Sequence, residues 1–283
     1  MVPSHPPARS GEVNSPPRAA RFLGGKLGLM PRIDLNADLG ESFGAWSMGA
    51  DEVVLAFVSS ANVACGFHAG DPVVIDRTVA LAARAGVAVG AHPGYADLRG
   101  FGRREIAADP LEVEADVLYQ AAAVAAFARS HGARLRHVKP HGALYNQAAR
   151  DEPLARAVAR GVKRLGQTAT LVGLAGSMVM RRAAEEEGLR FAAEAFVDRG
   201  YDRQGRLLPR THPDALVSDP EAAAARAVRL ALEGWLEAVD GSRVEVRADT
   251  LCLHGDSPHA IAIARAVRGA LEAVGVRVEA LQP

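Results

Sequence analysis

The sequence predicts an α/β protein, a single-domain closed β/α barrel of TIM-like but non-standard form with seven or so strands. Three observations carry this expectation. Short apolar runs alternate with longer Ala-rich helical stretches from Arg32 onward, as in repeated β-α units feeding a parallel sheet. The chain has 283 residues, enough for one barrel domain. Polar residues fall on one face of several strands. A barrel interior would collect them, whereas an open sheet would bury them separately at roughly 1–3 kcal/mol per unsatisfied group.

The expected strands are 33–37, 60–64, 87–92, 135–139, 170–173, 190–195 and 250–254, with a weaker one at 276–278. Ile33, Leu35 and Ala37 share one face of the first strand, and Asp34, Asn36 and Asp38 share the other, because side chains alternate with period two. The fourth repeats the pattern with His137, Lys139 and His141. Helix starts are marked at Asp71-Pro72, Asp109-Pro110, Asp219-Pro220 and Ser257-Pro258, where a capping side chain precedes a proline suited to the first turn. Gly86, Gly132, Gly188 and Gly275 mark helix ends. Residues 1–30 are rich in proline and arginine and lack an apolar signal core, so they read as a disordered extension before a catalytic domain spanning 31–283.

Composition removes several function classes. Thirty-three basic residues balance thirty-three acidic ones, so no bulk charge draws the chain to nucleic acid or an anionic membrane. No stretch reaches the roughly 18 apolar residues of a membrane span. Two distant cysteines, Cys65 and Cys252, fit reduced thiols in the cytoplasm. The phosphate-loop and dinucleotide-binding patterns are absent from the sequence, and the candidate serines lack the strand-turn-helix setting of a nucleophile elbow.

Chemistry is expected at the carboxyl ends of the strands. Asp34 to Gly44 offers carboxylates and an amide, with turn and cap chemistry the bland alternative. Asn62 to Pro72 holds His68 among glycines, and Asp71 there doubles as a helix cap. His92 leads to the Gly- and Arg-rich segment containing Arg103 and Arg104, which is suited to an anion or else simply solvated. His137 to Asn146 places two imidazoles and an ammonium at one strand end. Glu194 and His254 complete the set. One histidine is more often structural, but several ionisable groups converging on one mouth favour function. Zinc is conceivable from His68, His92, His141 or His254 with Asp34, Asp38 or Asp71, without a tight His-x-x-x-His spacing.

The segments 34–44, 61–72, 90–104, 137–146 and 253–256 together resemble the LamB/YcsF family. Residues 194–210 are also similar to it, whereas His212-Pro213-Asp214-Ala215 departs from its usual Pro-Gly-Ala. The resemblance implies a closed β/α barrel and a cytoplasmic role as the A component of a multi-subunit hydrolase. With partner subunits B and C, it would open the cyclic amide of 5-oxoproline to L-glutamate using ATP. It implies His92, Lys139, His141 and Asp38 as catalytic residues. Asp34, Asn36, Asn62, His68, Arg103, Arg104, Asn146, Glu194 and His254 would serve substrate or phosphate binding. Magnesium would fall to Asp38, Glu41 or Asp71. A stand-alone metal-dependent deacetylase or amidohydrolase, and a non-catalytic protein that only binds the substrate, are the rival readings.

Overall fold

The computed structural model describes Met1 and residues 30–166, 168–254 and 259–282. The expected N-terminal extension and the Ser257-Pro258 helix start lie outside the described residues. Among the described residues the strands are β1 (Arg32–Leu39), β2 (Ser60–Ala64), β3 (Ala88–His92), β4 (Leu135–Val138), β5 (Thr170–Leu174), β6 (Phe191–Phe196), β7 (Trp235–Glu237), β8 (Arg243–Glu245), β9 (Thr250–His254) and β10 (Arg277–Val278). Helices are α1 (Asp51–Val54), α2 (Pro72–Arg84), α3 (Pro110–Ser130), α4 (Gly142–Ala148), α5 (Glu152–Lys163), α6 (Met178–Glu186), α7 (Pro220–Glu233) and α8 (Ala260–Ala273).

Strands β1-β2-β3-β4-β5-β6-β9 run parallel in that order, and β9 pairs back onto β1 to close the ring. Among the described residues the barrel therefore has seven strands. The weak eighth candidate, β10, stays outside the ring and pairs only with Arg32 and Ile33 at the start of β1. The antiparallel hairpin β7-β8 was not foreseen. It lies in the long connection between β6 and β9, and its exposed Arg and Glu residues hide it from an apolar-run search.

Local chemistry explains the element ends. Asp71, Asp109 and Asp219 each accept hydrogen bonds from backbone N–H groups of the first turn, and proline follows each of them inside its helix. Gly86, Gly132, Gly188 and Gly275 adopt positive φ just beyond helices. Leu35, Ala37, Val63, Val89, Val138 and Leu251 face outward from the barrel into a core shared with the helices, all essentially without solvent exposure. The opposite faces of the same strands turn Asp34, Asn36, Asn62, His137, Glu194 and Thr250 into the barrel, also buried.

Candidate active site at the barrel mouth

The interior is organised in levels set by strand register. At the floor, Asp34 lies opposite Thr250 and accepts hydrogen bonds from the hydroxyls of Ser59 and Ser60 (2.7 Å each) and Thr250 (2.5 Å). One level up, Asn36 donates from Nδ2 to Glu194 Oε1 (3.0 Å) and Thr250 Oγ1 (2.6 Å). Asn62 donates to Asn36 Oδ1 (2.7 Å) and Asp38 Oδ1 (2.8 Å), while His137 Nε2 donates to Asn62 Oδ1 (2.7 Å). Gly90 sits between Asn62 and His137 in the register. A Cβ there would lie 2.0 Å from His137 Nε2, so glycine makes the room that this imidazole occupies.

Lys139 crowns this network. Its Nζ reaches Asp38 Oδ1 (2.8 Å), Glu194 Oε1 (3.0 Å) and Cys252 Sγ (3.0 Å), with 2% of its side chain exposed. Burial alone would discharge the ammonium, but Asp38, Cys252 and Glu194 outweigh it and hold its pKa well above the ordinary lysine value. Burial pushes Asp38 up, and His92 and Lys139 more than reverse that, leaving it well below the usual carboxylate range. A charged pair at the base of a cleft is therefore fixed in place.

Next to this pair, three imidazoles converge from the ends of β2, β3 and β4. His68 stacks flat on His141, with ring centroids 3.7 Å apart, and His92 meets both edge-on. Gly102, at φ 62°, permits the approach: a Cβ there would press on His68 and His141 at 2.8 and 2.9 Å. Burial and neighbouring imidazoles drive His68 and His141 well below the ordinary histidine pKa, and burial with Lys139 pushes His137 down to about 3. Glu41 Oε1 lies 3.8 Å from His68 Nε2.

Above these groups opens a cavity of about 1000 Å³, lined by Asp38, His92, Arg103, Lys139, His141 and His254 among others. The Arg103 guanidinium lies 4.7 Å from the centre of the Phe101 ring. His254 Nδ1 is 2.9 Å from Asp198 Oδ2, and its backbone N–H donates to the same oxygen. Asp198 is thereby held below the usual carboxylate range, burial being outweighed by His254.

Most of the expected site residues thus share one polar column, at different depths. Asp34, Asn36, Asn62 and Glu194 form its lower part; Asn146 lines the cavity while donating to the Gly142 carbonyl (3.0 Å). Two lie elsewhere. Asp71 commits its carboxylate to the N–H groups of Val73, Val74 and Gly44 (2.8–2.9 Å), and Arg104 is exposed and paired with Asp97, outside the cavity lining. The Asp198 partner of His254 escaped the sequence reading, because 56 residues separate the two. The motif Phe-Val-Asp-Arg at the end of β6 was the available signal.

A closed parallel barrel with a lysine-carboxylate pair and clustered imidazoles at the carboxyl ends of its strands defines a class of α/β-barrel proteins with a polar small-molecule pocket. The LamB/YcsF family model matches residues 33–283, and the chain belongs to that family. It is 55% identical over 249 residues to the A subunit of 5-oxoprolinase from Thermus thermophilus, covering 88% of this chain and 99% of that protein. The protein of the same description from Symbiobacterium thermophilum is 53% identical, with 91% and 98% covered. The crystal structure of the lactam utilization protein from Thermus thermophilus superimposes with a TM-score of 0.83 at 54% identity, over 88% of this chain and all of that one.

Proposed function

We propose that this chain is the A subunit of an ATP-dependent 5-oxoprolinase, acting with partner subunits B and C to open 5-oxoproline to L-glutamate in the cytoplasm. The relatives described as the A subunit of 5-oxoprolinase support the class of reaction. The observation that carries the reading here is the Lys139 ammonium, clamped by Asp38 and Glu194 beneath a cavity rimmed by Arg103. A five-membered lactam is a poor electrophile. Transfer of the γ-phosphoryl group of ATP to its oxygen, releasing ADP, would activate the carbonyl carbon. Water addition would then break the ring C–N bond to leave an acyl phosphate, and hydrolysis of that acyl phosphate would release phosphate and supply driving force.

The chain's own residues meet the charges this creates. Lys139 and Arg103 neutralise substrate carboxylate or phosphate oxygens, as fixed cations do best in a cleft that excludes water. His254, oriented through Nδ1 by Asp198, presents its other ring nitrogen for proton transfer. Two buried free thiols fit a reducing compartment. Among the described residues no helix is long and apolar enough to cross a membrane.

The test combines this chain with its two candidate partners and follows 5-oxoproline-dependent formation of ADP and glutamate, omitting each component in turn. Turnover should require all three chains, and His254→Gln should lower kcat by about 10²–10⁴-fold. Hydrolysis of an N-acyl substrate by this chain alone, without nucleotide, would instead establish a stand-alone amidohydrolase.

A further inference from the structure

The hydrogen bonds around His92 and His141 fix where their lone pairs point. His92 Nδ1 lies 2.7 Å from the Lys139 carbonyl, and His141 Nε2 lies 2.8 Å from the Phe101 carbonyl. A carbonyl only accepts, so both of those nitrogens carry hydrogen. A neutral imidazole has one N–H, so with both rings neutral His92 Nε2 and His141 Nδ1 would face each other as lone pairs at 2.9 Å, with Asp38 Oδ2 a further acceptor 3.3 Å from His92 Nε2. Two lone pairs at that distance require a positive charge between them, either a proton or a bound cation.

His68 separates the alternatives. It is fully buried, and neither of its ring nitrogens has a hydrogen-bond partner among the described residues. A proton on His92 Nε2, shared with His141 and Asp38, answers those acceptors but leaves the His68 imidazole idle, at the desolvation cost of an unmade bond. One donor atom from each of Glu41, His68, His92 and His141 lies within 4.8 Å of the others. A tetrahedral ion with bonds of about 2.0–2.1 Å sets its ligand atoms about 3.4 Å apart. The separations of 2.9 Å (His92–His141), 3.8 Å (Glu41–His68) and 4.0 Å (Glu41–His141) lie on either side of that value. Because an ion sits in the plane of each imidazole it binds, His68 must turn out of its stack on His141 to join the shell. Imidazoles that bind a metal usually donate their second N–H to a carbonyl or carboxylate, and His92 and His141 both do so.

We infer that Glu41, His68, His92 and His141 bind one divalent transition ion. Three nitrogens and one carboxylate oxygen suit zinc, whereas magnesium prefers an all-oxygen shell. The ion would act as a Lewis acid at the wall of the cavity that His92 and His141 line.

The full chain, purified without chelator, is analysed for metal and, after dialysis against EDTA, titrated with Zn²⁺ and with Co²⁺. One zinc per chain is expected, with visible d–d absorption on cobalt loading. His68→Gln should weaken zinc binding by at least about 100-fold, and Glu41→Gln by roughly tenfold or more. Wild-type chain that takes up neither ion, or a folded His68→Gln variant binding zinc like the wild type, overturns the inference. Should His68→Gln fail to fold, the wild-type cobalt spectrum alone decides. These readouts need no partner chain, nucleotide or lactam, so they stand or fall separately from the oxoprolinase reading.

Discussion

The floor and the mouth of this barrel are built from the same residue types yet differ in how completely their polar groups are used. At the floor, three hydroxyls converge on Asp34, and Asn36 and Thr250 tie that level to the next. At the mouth, His68 has two ring nitrogens with no hydrogen-bond partner among the described residues, and the ring nitrogens of His92 and His141 face each other at 2.9 Å. A nearly saturated polar network, with Glu194 Oε2 and His137 Nδ1 left over among the described residues, specifies structure. An unsaturated one, buried beside a cavity, keeps its capacity for a ligand.

The contrast can be broken or sharpened by substitution. The largest effect is expected at the junction. Lys139→Met removes the cation between Asp38 and Glu194, should cost about 3–5 kcal/mol in urea unfolding, and should abolish turnover in the reconstituted complex. Thr250→Val takes a bridging hydroxyl from the floor and should cost roughly 1–3 kcal/mol by the same measurement, with kcat retained. A fall in kcat matching the fall in stability would erase the distinction between floor and mouth.

A smaller effect belongs to pH. Burial raises the Asp34 pKa despite its three hydroxyl donors, so the folded state holds that proton more tightly than the unfolded chain does. This contribution to stability is present below the unfolded carboxyl value of about 3.9 and is lost as pH rises through the folded one. Asp34→Asn should flatten that part of the curve of unfolding free energy against pH. The smallest effect on turnover is at Arg104, whose exposed guanidinium pairs with the buried Asp97 carboxylate away from the cavity. Arg104→Ala should leave kcat unchanged, whereas Arg103, which lines the cavity, should raise KM when replaced by alanine.

Much of the barrel was legible in the sequence because its signals are local. The runs 60–64 and 250–254 match β2 and β9, and each Asp-Pro helix start among the described residues is a cap. Alternation along 33–38 placed Asp34, Asn36 and Asp38 on one inward face before any strand order was known. The site's wiring was not legible, because it depends on which strands are neighbours. His68, His92 and His141 come from three successive strands of the ring, so no spacing motif brings them together. Asp71 and Arg104 have the right chemistry, but nearby backbone N–H groups claim the first and the Asp97 carboxylate claims the second.

Closure of the ring by β1 and β9 sets when the polar column comes into being. Asp34 and Thr250 lie 216 residues apart in the chain, and Asn36 bridges nearly the same interval to the same hydroxyl. During synthesis, the carboxylates and amides of β1 emerge long before the hydroxyl that completes their bonding. A nascent chain halted before β9 therefore exposes an open sheet edge with an unfinished polar face, and contacts of such long range are slow to form. The polar interior is completed only when β9 arrives, after six other strands of the ring have been made.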